Sequence, residues 1–281
     1  MRTRTIKADG VELATEAFGD PGSPAILLIM GSMASMLWWP EKFCGQLALG
    51  GRHVIRYDNR DTGLSTKYPA GKPQYSFDDM ADDAIRVLDG YGISAAHVVG
   101  MSMGGMIAQF VALKHPNRTR TLTLISTSPA GVDTAHLPGT TAAYMEHSGR
   151  AADLDWSNRN QVIEFMVADV RAIAGTSHSF DEQRAREFIA ADYDRARGFE
   201  NATNHFLLSG GDEWKDQLTR LEAPLLVIHG TSDPIFPIEH GREFANVVQQ
   251  ARLVEIEGGG HELHPKDWDI MLGALITHTS E

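Results

Sequence analysis

Cysteine is nearly absent from this chain. Cys44 stands alone among 281 residues, so no internal disulfide can form and a disulfide scaffold is excluded. Positive charge is also scarce, with 25 Lys+Arg against 37 Asp+Glu and a formal net charge of −12. Binding to a phosphate backbone rests on clustered basic residues, so no nucleic-acid partner is expected. Long apolar runs are missing as well. The longest, residues 25–30, is far too short to cross a bilayer, which takes about 20 apolar residues. The start, Met1-Arg2-Thr3-Arg4-Thr5-Ile6-Lys7, carries positive charge, but no apolar stretch of a secretory leader follows it. A cytoplasmic protein without a membrane partner is the expectation.

What is present describes an ordinary globular chain, 42% hydrophobic and 22% charged. Its length suits one large domain or a domain carrying an insertion. Glycine (27) outnumbers proline (12) by more than two to one, which points to tight turns and close backbone approaches.

Short β-type runs alternate with helical patterns. Residues 11–18 alternate loosely and run into the turn Gly19-Asp20-Pro21-Gly22. Residues 25–30 are apolar throughout, as in a strand covered on both faces. Residues 53–57 read as the next strand. Ser76-Phe77-Asp78-Asp79 forms a capping box, after which Met80, Ala84, Ile85, Leu88 and Tyr91 recur at helical spacing. A strand at 95–99, a helix at about 104–115 closed by Pro116, and a strand at 120–125 continue the rhythm. Alternation of this kind signals βαβ units and a parallel sheet with right-handed crossovers. It stops between Asp133 and Gly211, where helical patterns occur without a convincing strand. It resumes with a strand at 224–229, a helix near 238–248, a strand at 252–257 and a last helix from Pro265. The expected organisation is an α/β core of residues 1–132 and 212–281, interrupted by a helical cap of residues 133–211.

Gly100-Met101-Ser102-Met103-Gly104 fits the G-x-S-x-G nucleophile elbow, with a strand expected before it and a helix after it. Such a turn lifts a serine hydroxyl above the carboxyl edge of the sheet, and flanking side chains would collide in so tight a bend. A serine hydroxyl needs a base to become a nucleophile. Suitable partners follow in chain order. Asp233, in Gly230-Thr231-Ser232-Asp233-Pro234, stands at the end of the 224–229 strand. His261 follows Gly258-Gly259-Gly260 after the 252–257 strand. Either residue alone would be an unremarkable turn former or an incidental histidine; the order Ser102, Asp233, His261 behind an elbow makes a triad. His264, beside Pro265 at a helix start, reads as a structural neighbour. His261-Glu262-Leu263-His264 is one residue short of the H-E-x-x-H zinc pattern, and neither a P-loop nor G-x-G-x-x-G occurs, so neither a metal nor another cofactor is expected. The oxyanion donors expected are the backbone N–H of Met103, directly after the nucleophile at a helix start, and that of Ser32 in the loop after the 25–30 strand. Met33, Met36, Leu37, Trp38 and Trp39 near that loop either line an apolar pocket or pack the core; Trp156, Met166 and Phe206 are similar candidates from the cap.

With these residues in place the chain resembles the α/β-hydrolase superfamily along its whole length. Tyr57-Asp58-Asn59-Arg60-Asp61-Thr62-Gly63-Leu64-Ser65 and His97-Val98-Val99-Gly100-Met101-Ser102-Met103-Gly104 are most similar to the aclacinomycin methylesterase branch, and Val11-Glu12-Leu13 and Phe18-Gly19-Asp20-Pro21 agree with it. The resemblance implies a mostly parallel eight-stranded sheet flanked by helices with a helical cap. It implies Ser102, Asp233 and His261 as catalytic residues, and carboxylic ester hydrolysis through an acyl-enzyme on a small to medium apolar ester. Met30-Gly31 stands where many members have His-Gly, a departure at the oxyanion loop. Other hydrolases on the same triad (a lactonase, thioesterase or C–C bond hydrolase) and a ligand-binding receptor on this scaffold are the alternatives. The sequence does not specify an oligomeric state.

Overall fold

In the computed structural model, residues 3–280 are described; Met1 and Arg2 of the charged start lie outside them. Eight strands form one sheet in the order β1-β2-β4-β3-β5-β6-β7-β8. β1 (Arg4–Ala8) and β2 (Val11–Phe18) are antiparallel to each other, and β2 is antiparallel to β4 (His53–Tyr57). From β4 onward the sheet is parallel through β3 (Ala25–Ile29), β5 (Ala96–Met101), β6 (Thr119–Ile125), β7 (Leu225–Gly230) and β8 (Arg252–Ile256).

Burial explains which runs became strands. β3, β4, β5 and β7 are buried at every position, as parallel strands covered on both faces must be. On one face α2 (Phe77–Gly90) and α3 (Met103–Lys114) pack Ile85, Leu88, Ile107 and Val111 against Leu27, Val98 and Leu124. On the other, α1 (Glu41–Leu49) and α8 (Trp268–His278) pack Phe43, Leu47, Met271 and Leu275 against Ile26, Leu28 and Val99. α7 (Ile238–Val247) flanks β7 and β8. The capping box that opens α2 forms as expected: the Ser76 hydroxyl accepts from the Asp79 N–H, and the Asp79 carboxylate accepts from the Ser76 N–H.

Two elements were not anticipated. β1 presents only Ile6 to the interior, so its alternation is hidden among polar residues. α1 is short, follows Pro40 and contains Gly45, and so carries weak helical signals.

Between β6 and β7 the chain forms no strand. It forms α4 (Ala142–Gly149), α5 (Arg159–Ile173) and α6 (Glu182–Arg195), with a 3₁₀ turn between α4 and α5 and three more after α6. α5, α6 and the 3₁₀ segment Phe199–Leu207 share a small apolar core of Val162, Ile163, Met166, Val167, Ile189 and Phe199, which Met33 of the loop after β3 joins. The helical insertion therefore sits over the carboxyl edge of the sheet. No helix among the described residues is long and apolar enough to cross a membrane.

Candidate active site

β5 turns directly into α3 at Ser102. Ser102 adopts φ 56° and ψ −124°, a backbone conformation that side chains other than glycine rarely take. Its N–H donates to the Ile125 carbonyl at 2.9 Å, and its own carbonyl accepts from the Thr127 hydroxyl at 2.8 Å, which fixes the bend from the neighbouring strand. The flanking glycines are sterically required. A Cβ on Gly100 would stand 2.1 Å from the Gly104 carbonyl oxygen, and one on Gly104 would stand 2.2 Å from that of Ile29. Ser102 thus projects into a cavity of about 1020 Å³ between the sheet edge and the helical insertion, at the upper end of the usual 300–1,000 Å³ range for small-molecule sites.

His261 lines the same cavity, on the loop after β8. Its backbone N–H donates to the Ile173 carbonyl at the end of α5, at 2.9 Å. Its Nδ1–H donates to Asp233 Oδ2 at 2.8 Å, which leaves Nε2 as the nitrogen available to a hydroxyl. Asp233 lies behind the histidine, fully buried. Its second oxygen, Oδ1, accepts from the Ile235 and Phe236 N–H groups, both at 2.9 Å. Burial pushes this carboxyl up, but the His261 charge and hydrogen bond, the nearby His229 and the Phe236 N–H outweigh it and hold Asp233 below the ordinary carboxylate range. The loops that carry Asp233 and His261 are tied to each other by the Ser232 N–H on the Gly259 carbonyl, at 2.9 Å.

Ser32 and Met103 also line the cavity, beside Ser102. The next amide along the loop, that of Met33, is already committed: it donates to His205 Nδ1 at 3.0 Å. The opposite nitrogen of His205, Nε2, donates to the Arg60 carbonyl at 2.8 Å, so the imidazole is neutral and of one tautomer; burial pushes its pKa down to about 4. His205 belongs to the helical insertion, and it is one of two such residues that hold this loop. Buried Asp192, on α6, accepts from the Ser35 hydroxyl at 2.5 Å and from Trp38 Nε1–H at 2.9 Å. Burial raises the Asp192 carboxyl above its usual range despite both bonds.

From the sheet side, Asp58 Oδ1 accepts from the Met36 N–H at 2.8 Å, and its carboxylate takes a two-pronged contact from Arg195 at 2.8 and 3.1 Å. Asn59 Nδ2–H donates to the Met30 carbonyl at 2.9 Å. The Asp58 stretch is therefore a brace for the loop after β3 as well as a turn. His205, Asp192 and Arg195 were missed by sequence reasoning, because polar residues of a helical insertion carry no motif that names their partners.

The cavity walls settle the two readings of the aromatic and methionine residues by dividing them. Met33, Leu37 and Trp38 line the cavity together with Trp156, Met166 and Phe206, whereas Met36 and Trp39 are fully buried in the core. His264 also reaches the cavity wall, while its Nδ1 accepts from the Lys266 N–H at 3.3 Å at the start of the last helical segment. His178, His264 and Asp267 bring ligand-type atoms within 4.8 Å of one another. These atoms are turned to protein partners: His178 Nε2 bonds Asp267 Oδ1 at 2.8 Å, and the two imidazoles stack at 4.1 Å.

An eight-stranded, mostly parallel sheet with a serine at a strained strand-to-helix turn, and a His–Asp pair on later loops, defines the α/β-hydrolase class. The chain belongs to the α/β-hydrolase fold family, whose pattern matches residues 24–267. It is 36% identical to the rhodomycin D methylesterase of Streptomyces sp. (strain C5) and to that of Streptomyces peucetius, across 99% of this chain and 98% of each relative. That relationship bears out the resemblance read from the motifs. Among solved structures, an esterase from Rhodococcus sp. ECU1013 superposes with a TM-score of 0.80 at 21% identity, covering 100% of this chain and 99% of that one. An enol-lactonase from Burkholderia xenovorans LB400 superposes with a TM-score of 0.77 at 22% identity, covering 99% and 100%. These two likenesses are of fold.

Proposed function

We propose that the protein is a serine carboxylesterase that cleaves the methyl ester of a largely apolar acid through an acyl-enzyme. The observation that carries this reading is the meeting of the strained Ser102 elbow and the Asp233-backed His261 at one apolar cavity. In the proposed cycle His261 Nε2 takes the Ser102 proton as Oγ attacks the ester carbonyl. The Ser32 and Met103 N–H groups receive the oxyanion, each worth about 3–4 kcal/mol in comparable sites. Asp233 holds the imidazole in the tautomer with Nδ1 protonated and stabilises the imidazolium. The imidazolium then protonates the departing alkoxide, releasing the alcohol. Water, activated by His261 in turn, attacks the acyl-enzyme and frees the acid and Ser102. The methylesterase relatives support methanol as the leaving group, and the cavity size supports a bulkier acyl part. The helical insertion would act as the cap that shapes the acyl pocket. A cytoplasmic setting is proposed with it, in keeping with one buried, unpaired cysteine.

Ser102→Ala tests the reading. Turnover of methyl benzoates and short p-nitrophenyl esters should fall by at least about a thousandfold, with the unfolding transition unchanged. Turnover that survives the substitution refutes the assignment.

A further inference from the structure

The cavity holds one acidic side chain that the triad chemistry leaves without a task. Asp169 sits in the body of α5 and lines the cavity together with apolar neighbours such as Met166, Val170 and Ile173. The other carboxylates on the cavity wall are accounted for locally. Asp181 caps α6 by accepting from the Arg184 N–H, Glu262 accepts from the Gly175 N–H, and Glu41 is exposed in the first turn of α1. Asp169 accepts from no backbone N–H among the described residues. It faces α4: His147 Nε2 lies 3.1 Å from Oδ1, and Tyr144 is near enough for the two groups to act on each other's charge. His147 is itself buried, stacked on Phe165 at 4.9 Å, and its Nε2 makes no well-directed hydrogen bond despite that proximity. The carboxylate therefore retains acceptor capacity towards the cavity, and the charge of His261 is near enough to act on it. Burial pushes the Asp169 carboxyl up, against the opposing effect of its His147 and Tyr144 neighbours and of His261. A half-buried carboxylate in an apolar wall has fewer water partners than one in bulk solvent, so a donor brought by a ligand is worth more there.

We propose that Asp169, flanked by Tyr144 and His147, is a substrate-recognition site for a hydrogen-bond donor, a hydroxyl or an ammonium group, carried on the acyl part of the ester. The inference rests on the esterase reading for its place beside the reacting carbonyl. It makes this enzyme selective for acids that bear a donor at a set distance from the ester, and it gives the largely apolar cavity a polar anchor.

The probes are methyl 3- and 4-(aminomethyl)benzoates, the matching hydroxymethyl esters, and the methylbenzoates that lack a donor. In the wild type, a donor-bearing ester should exceed its methylbenzoate in kcat/KM by about tenfold or more in at least one series. Asp169→Leu should bring that ratio to near one. Asp169→Asn should abolish an ammonium preference but keep part of a hydroxyl preference, which distinguishes the two donors. Equal ratios in wild type and variants overturn the proposal, as does a proportional loss for all esters.

Binding of the corresponding benzamides to the Ser102→Ala protein, measured by calorimetry, reads the same preference without turnover. If no ester is hydrolysed but the aminomethyl or hydroxymethyl benzamide still binds more tightly in an Asp169-dependent way, the recognition site stands and the esterase reading falls. If esters are hydrolysed with no donor preference in either measurement, the recognition site falls and the esterase reading stands.

Discussion

Replacing His205 with phenylalanine should damage both stability and catalysis, by amounts the structure allows to be worked out. His205 is 4% exposed and serves two buried backbone groups, the Met33 N–H at 3.0 Å and the Arg60 carbonyl at 2.8 Å. Phenylalanine fills a similar volume but leaves one buried donor and one buried acceptor unpaired. At roughly 1–3 kcal/mol for each stranded group, the loss is about 2–6 kcal/mol. Asparagine can place an oxygen where Nδ1 stood but cannot reach the Arg60 carbonyl, so His205→Asn should recover about half of the loss. The catalytic effect follows from position. Met33 is the residue after Ser32, the proposed oxyanion donor, and loss of such a donor costs about 10²–10³ in kcat. A loop that is loosened but not lost should cost about ten- to a hundredfold for His205→Phe, with KM changing less. Urea unfolding midpoints and steady-state kinetics on a methyl benzoate check both halves. Unchanged kcat alongside the loss of stability would refute the positioning role, and unchanged stability would refute the energetic argument as well.

Histidine burial also sets a pH dependence. His97 is 1% exposed, and its pKa is pushed down to about 4, by burial first and then by the charges of Arg120, Arg52 and His278. Its folded pKa lies below the unfolded value of about 6.5, so the unfolded chain takes up a proton between these values and the folded chain does not. Stability from this site is full above pH 6.5 and falls towards pH 4, by up to roughly 3 kcal/mol. The stability of wild type relative to His97→Asn should therefore decline between pH 7 and 4.5; a difference that stays constant contradicts it. Cys44 should resist thiol reagents in the native protein and react on unfolding, because it is fully buried and burial pushes its thiol up to about 12. Labelling of the native thiol at the unfolded rate would show that the core around it opens.

The contrast between what could be read early and what could not follows from sequence separation. The β3 run, the α2 capping box and the Ser102 elbow are local patterns, each imposed by neighbours a few residues away. The pairing of Asp233 with His261 was legible because chain order and strand ends place both on one edge of a parallel sheet. β1 was not, because an edge strand that buries a single side chain leaves no periodicity to detect. The bracing of the loop after β3 was not legible either: Ser35 meets Asp192 across 157 residues, and Met33 meets His205 across 172. Nothing in the local composition of α6 or of the turn bearing His205 distinguishes these residues from solvated polar ones. Asp169 is the same case, a carboxylate on a mixed helix that reveals itself only once α4 and the cavity are in place.

The most direct test of the central claim is covalent trapping of the nucleophile. Treating the native protein with a phosphonofluoridate ester should add one phosphonyl group per chain and abolish ester turnover, with peptide mapping placing the group on Ser102. The same treatment of Asp233→Asn should label far more slowly, since the base would lose the partner that holds its tautomer. A label on any other residue, or an enzyme that remains active when fully labelled at Ser102, would contradict the account.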